Sequence, residues 1–256
     1  MLPTPSTSHV PYEKVYEPAE DSFLLLDTLS SDKEKAFLKN RFRHHQKDDG
    51  TANCRSPLII EVGSGSGVVI SFIHAHCETI LGRSDVLTAG IDININACRV
   101  TEMTVRIAEE ERRQLMPAAH GFYIGSILGD LTGFLKPNQV DVLIFNPPYV
   151  PTSKLPKMPT LDDVDSSNDG DSHLLSLSYA GGIDGMETTN RLLKTLPDIL
   201  SSRYGCAYVL LCAQNKPEAV KESVRKMGSE WRVETVGTSG KKAGWEKLQI
   251  IRIWRD

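Results

Sequence analysis

The stretch Pro57-Leu58-Ile59-Ile60-Glu61-Val62-Gly63-Ser64-Gly65-Ser66-Gly67-Val68-Val69-Ile70-Ser71-Phe72-Ile73 passes from one apolar run through a glycine loop into another. Its pattern predicts a buried strand over 58–62, a tight turn and a helix over 67–81. Glycines at alternate positions let the backbone turn sharply and approach a ligand closely at the positively biased end of a helix. The spacing is G-x-G-x-G, unlike the G-x-G-x-x-G of dinucleotide sites or the G-x-x-x-x-G-K-[ST] of phosphate loops, and no Lys follows. Glu61 before the loop would repel a pyrophosphate and suit an ammonium group. Taken alone, the loop also reads as a plain strand-to-helix turn.

Two later segments complete the pattern. A second strand-like run, 86–91, ends in Asp92, placed to accept hydrogen bonds from a ribose diol in an open α/β sheet. A third, Val140-Asp141-Val142-Leu143-Ile144-Phe145, runs into Asn146-Pro147-Pro148-Tyr149. There the two prolines give up their N–H donors and stiffen the turn. The Asn146 side-chain carbonyl and the Pro147 backbone carbonyl are left as acceptors that can hold both hydrogens of a planar NH2 group, beside the Tyr149 ring. Alone, Pro-Pro marks loops generally. Acid, glycine loop, second acid and Asn-Pro-Pro-Tyr in this order suit a nucleoside with an amino-acid tail and no phosphates, which is S-adenosylmethionine rather than a nicotinamide.

Outward from these segments, strands and helices alternate. A helical region is expected over 20–40, helices over 95–115, 186–200 and 217–227, and further strands over 122–127, 206–212, 231–236 and 248–254. Such alternation implies a parallel sheet covered on both faces, an α/β Rossmann-like fold. We expect a disordered start, 1–11, and one domain over 12–256: a helical segment 12–40, a polar insertion 41–56, and a core 57–256 with a long loop 151–178. Within that loop the acidic run 161–171 marks a lid or recognition element, or simply a solvated loop.

The length, 256 residues, suits one α/β domain and is short for two. A formal charge of −4 and a pI near 6.0 weigh against a chain that grips nucleic acid by its phosphates. The most basic run, 41–47, meets Asp48 and Asp49 at once and reads as exposed. No apolar stretch is long enough to span a bilayer, and no signal peptide is visible. Five cysteines without a C-x-x-C pair suit a reducing compartment and no intrinsic metal site. His74 and His76, two apart, face different ways on a helix, and His44 and His45 read as solvated.

Together with the segment Val15-Tyr16-Glu17-Pro18-Ala19-Glu20-Asp21-Ser22-Phe23-Leu24-Leu25-Leu26, the glycine loop and the Phe-Asn-Pro-Pro-Tyr-Val element make the chain resemble the HemK-like glutamine methyltransferases, in the eukaryotic branch that modifies peptide-chain release factors. Asn-Pro-Pro-Tyr is shared with DNA adenine and RNA guanine methyltransferases; the N-terminal segment is far more selective. The resemblance implies a class I S-adenosylmethionine-dependent fold with a seven-stranded sheet whose last strand is antiparallel. Cofactor contacts are implied at Ser22, Glu61, Gly63, Gly65, Asp92, Asp130, Leu131 and Asn146, with Ser126 competing with Asp130 for the adenine. Catalytic contacts fall on Asn146, Pro147 and Tyr149, and substrate contacts on these and Pro148. Tyr16 and Pro18 either close the site or pack beneath the sheet, and Tyr179 stands where the family has Trp. The implied substrate is the glutamine of the Gly-Gly-Gln motif in a eukaryotic class I release factor. The implied partner is a small zinc-binding activator paired through a sheet edge, with Val86, Leu87 and 122–124 as edge or core. The expected location is cytoplasmic, with the nucleus second. The alternative substrates are the exocyclic amine of adenine in nucleic acid and a lysine in a protein such as a histone. A non-enzymatic adaptor would require a broken motif, and both motifs are intact.

Overall fold

A computed structural model describes residues 2–42, 55–115, 120–156, 174–240 and 247–256. The chain runs α1 (Glu20–Ser30), α2 (Asp32–Phe42), β1 (Leu58–Val62), α3 (Val68–Leu81), β2 (Leu87–Asp92), α4 (Ile95–Leu115), β3 (Phe122–Leu128) and β4 (Val142–Phe145). A 3-10 turn (Ile183–Gly185) leads into α5 (Glu187–Ile199), β5 (Cys206–Cys212), α6 (Pro217–Arg225), β6 (Trp231–Thr238) and β7 (Leu248–Arg255).

Seven strands form one sheet in the order β3-β2-β1-β4-β5-β7-β6. Only β7 opposes the rest, antiparallel to both β5 and β6. Strand residues alternate between two cores, which is why the runs are apolar throughout. Ile59, Ile144, Tyr208 and Leu210 face α1, α2 and α3, while Ile60, Phe145, Val209 and Leu211 face α5 and α6. The chain moves outward from β1 through β2 to β3 and returns to β4 on the other side of β1. Between the carboxyl ends of β1 and β4 lies the switch point where open α/β sheets bind ligands.

The helical region expected over 20–40 is present as two helices that meet at Ser31, whose ψ of 150° is extended and whose Oγ accepts from Glu34 N at 3.3 Å. Three expectations need correction. The segment 2–11, read as disordered, lies against the fold: Pro3 O meets His76 Nε2 at 2.9 Å, His9 Nε2 meets Thr104 Oγ1 at 3.1 Å, and Val10 packs with Val15 and Ala97. A few short contacts to α3 and α4 replace the apolar run that the sequence lacks. Arg41, assigned to the polar insertion, lies in the last turn of α2 and donates to Tyr204 O at 2.7 Å and Arg255 O at 2.8 Å. Most of that insertion, His44, His45 and Cys54 included, and the acidic run 161–171 lie outside the described residues. The strand expected from Val140 begins at Val142 as β4; ahead of it Val140 bridges to Leu200, and the Asp141 carboxylate takes Leu58 N at 2.9 Å. His74 and His76 take separate partners, Thr88 and Glu109 for the first and Pro3 for the second. Among the described residues no helix is long and apolar enough to cross a membrane.

Candidate active site

A cavity of about 220 Å³ lies at the switch point. Ser22, Glu61, Gly63, Gly65, Asp92, Asp130, Leu131, Asn146, Pro147, Pro148 and Tyr149, all singled out from sequence, line it. Ser126 does not; it sits on β3 with its hydroxyl 2.6 Å from Tyr123 Oη. Tyr16 lines the cavity, and so does Tyr179, which is 46% exposed at its rim.

β1 carries Glu61 to the floor. One carboxylate oxygen accepts from Ile70 N at 2.8 Å, so Glu61 caps the first turn of α3, where the Gly67 N-cap has no side chain to do so. Burial pushes this carboxyl well above the usual Glu range; the Ile70 amide opposes the shift and nearby Asp92 adds to it. At Gly67, φ is +76°, and an added Cβ would lie 2.7 Å from Thr101 Cα, so the turn and the close approach of α4 both exclude a side chain. Asp92, at the end of β2, accepts from Gly65 N at 2.9 Å and Asn94 N at 2.8 Å, tying the glycine loop to the second acid. Burial raises its carboxyl too, against these backbone amides.

Asn146 leaves β4 with its NH2 donating to Asp21 Oδ2 at 3.0 Å. Its Oδ1 is buried and meets no partner. Sequence reasoning missed three residues that hold this neighbourhood. Asp21, inside the quoted N-terminal motif yet assigned no role, also receives Tyr16 Oη at 3.0 Å. Asn215, 1% exposed after β5, donates to Tyr149 O at 3.0 Å and Asp184 O at 2.9 Å while accepting from Cys212 N at 2.7 Å. It fastens the Asn-Pro-Pro-Tyr turn to the 3-10 turn, where Gly185, at φ +68°, would drive a Cβ to 2.0 Å from Tyr149 O. Arg191 of α5 pairs with the Asp130 carboxylate. Arg191 and the long-range bonds of Asn215 carry no local signal, because those partners are remote in sequence.

An orphaned amide oxygen in a cavity that two buried acids also line suits a cationic nucleoside with a neighbouring NH2 group to be held. On this sheet order, that donor set marks a class I S-adenosylmethionine-dependent methyltransferase. The chain is 35% identical over 258 residues to the eRF1 methyltransferase catalytic subunit mtq2 of Schizosaccharomyces pombe, covering 100% of this chain and 96% of that protein. It is 30% identical over 257 residues to the methyltransferase HEMK2 of Homo sapiens, covering 97% and 95%. It belongs to the HemK-like glutamine methyltransferases. Among solved structures, the hMettl16 catalytic domain in complex with the MAT2A 3'UTR hairpin 6 superposes with a TM-score of 0.52 at 13% identity, covering 96% of this chain and 74% of that one, a likeness of fold. No protein-family model matches the chain.

Proposed function

We propose that the chain methylates the side-chain amide nitrogen of the glutamine in the Gly-Gly-Gln motif of a eukaryotic class I release factor. The observation that carries this reading is the buried, partnerless Oδ1 of Asn146 on the wall of the cavity. A buried acceptor left unmatched costs about 1–3 kcal/mol, a cost removed when a substrate N–H arrives. The name of the first relative, an eRF1 methyltransferase catalytic subunit, supplies the substrate class.

When bound, S-adenosylmethionine supplies an electrophilic methyl carbon. Glu61, Gly63 and Gly65 would hold its methionine end, Asp92 its ribose, and Asp130 with Leu131 its adenine. An amide nitrogen is a poor nucleophile because its lone pair is delocalised into the carbonyl. Asn146 Oδ1 and the Pro147 carbonyl accept its two hydrogens, which favours the out-of-plane geometry for attack, while Tyr149 and Pro148 flank the substrate side chain. The nitrogen gains a methyl group and afterwards sheds a proton, so no general base is needed beforehand. Positioning of this kind supplies roughly 7–11 kcal/mol in the best intramolecular models.

We assign the small zinc-binding activator to the free edge of the sheet at β3, where Phe122 is 74% and Ile124 59% exposed. Val86 is fully buried and belongs to the core instead. The proposed location is the cytoplasm, with the nucleus second.

The test offers the purified chain, with and without the zinc protein, radiolabelled cofactor and, separately, release factor, histone and DNA. Label in the release factor is expected, and label in DNA or histone alone overturns the reading. Asn146→Ala should cut turnover about 100-fold while leaving cofactor affinity near wild type, in line with loss of one preorganised hydrogen bond.

A further inference from the structure

The carboxylate of Asp21 is buried inside the site and receives hydrogen bonds from three residues. Tyr16 Oη and Asn146 Nδ2 each lie 3.0 Å from Oδ2, and Ser22 N lies 2.6 Å from Oδ1. Ser22 Oγ adds a longer bond to Oδ1 at 3.3 Å. Donors on both oxygens prevent the group from turning.

We propose that Asp21 is a positioning residue for methyl transfer, one that fixes which end of the Asn146 amide faces the substrate. The inference rests on the role given to Asn146 above. A carboxylate has only acceptors, so the end of Asn146 beside it is the NH2, and Oδ1 is thereby turned away as the unmatched acceptor. The two orientations of an Asn amide have nearly the same shape and differ in exchanging an acceptor for donors. Inverted, Asn146 would set N–H groups against the N–H groups of the substrate. The shape of the cavity cannot prevent that inversion; the charge type of the neighbour can. The bond joins residues 125 apart in the chain, one in the first turn of α1 and the other beyond β4, so the N-terminal segment takes part in setting the nucleophile.

Asp21→Asn tests this at constant size. Its new NH2 has two places to go. Toward Ser22 it would oppose donor to donor across 2.6 Å. Toward Asn146 it favours the inverted amide, which then presents Oδ1 to it and N–H to the substrate. Kinetics are measured on the full chain with its protein substrate and activator for wild type, Asp21→Asn, Asn146→Ala and the double variant, alongside calorimetric cofactor affinity. Asp21→Asn should lower kcat roughly 10- to 100-fold with cofactor Kd within about twofold of wild type. The double variant should be no slower than Asn146→Ala, because the first change acts through the second residue. Wild-type kcat in Asp21→Asn, losses that multiply in the double variant, or a loss of cofactor affinity matching the loss of kcat overturns the inference and leaves Asn146 in its role. Wild-type turnover by Asn146→Ala instead removes the role of Asn146 itself.

Discussion

At Glu61 one side chain has two employments, capping α3 and lining the cavity, and burial links them through a proton. A carboxyl raised in the folded chain above its unfolded value keeps its proton to higher pH when folded, so between the two values stability falls as pH rises. Glu61→Gln keeps the acceptor for Ile70 N and removes the titration. The ligand-free variant should therefore melt above wild type at neutral pH, with the gap closing toward roughly pH 4, near the unfolded Glu value. An ammonium group seated beside Glu61 favours its charged form, so cofactor binding should release a proton from wild type and not from the variant. Calorimetry in buffers of unlike ionisation enthalpy reads this directly; equal release from both proteins would reject the coupling. The sequence placed Glu61 at the ligand from its position before the glycines. It could not show the capping bond, which depends on how α3 is set over β1.

At the scale of elements, α2 is held by a buried charge. Glu34, fully buried, receives Arg252 of β7 at 2.6 and 2.7 Å and Tyr208 of β5 at 2.7 Å. The Arg252 guanidinium also stacks 3.6 Å from the centroid of Phe37 and bonds Glu234 at 3.0 Å. Glu34→Ala should cost about 3 kcal/mol, the lower end for breaking a buried pair, because Glu234 and Phe37 still shelter the cation. Chemical denaturation at neutral pH measures it, and joint replacement of Glu34 and Arg252 by Leu and Met should recover most of the loss. The break before this helix was legible: Ser31-Asp32-Lys33-Glu34 has the S-x-x-E spacing of a helix start. The helical region expected over 20–40 covers both helices without marking this break, since apolar residues continue through Leu38. The pairing with Arg252 was not legible, because 218 residues separate the partners.

For the whole molecule, strand–helix alternation revealed a sheet covered on both faces, as the apolar runs of β1, β4 and β5 demand, while the antiparallel direction of its last strand came from the family resemblance. What alternation cannot give is the order of strands. Phe122-Tyr123-Ile124 reads like core, and only the placing of β3 at the edge exposes it. The described strand has a register shift against β2 between Thr88 and Ala89, and among the described residues no strand pairs with its outer edge. If the activator docks there, Phe122→Lys should weaken its binding at least tenfold, as loss of a large apolar anchor does, and should make the isolated chain more soluble. Titration of the labelled zinc protein measures the first, and unchanged affinity would move the interface elsewhere.

Asn215 joins the loop after β4 to the turn before α5, and it is supplied by the far end of β5. During synthesis, the glycine loop and both acids are therefore in place long before the nucleophile-holding turn can be latched. A growing chain that has just passed Phe145 can shape much of a cofactor cleft, yet it acquires a rigid reaction centre only when the ribosome has delivered about seventy residues more.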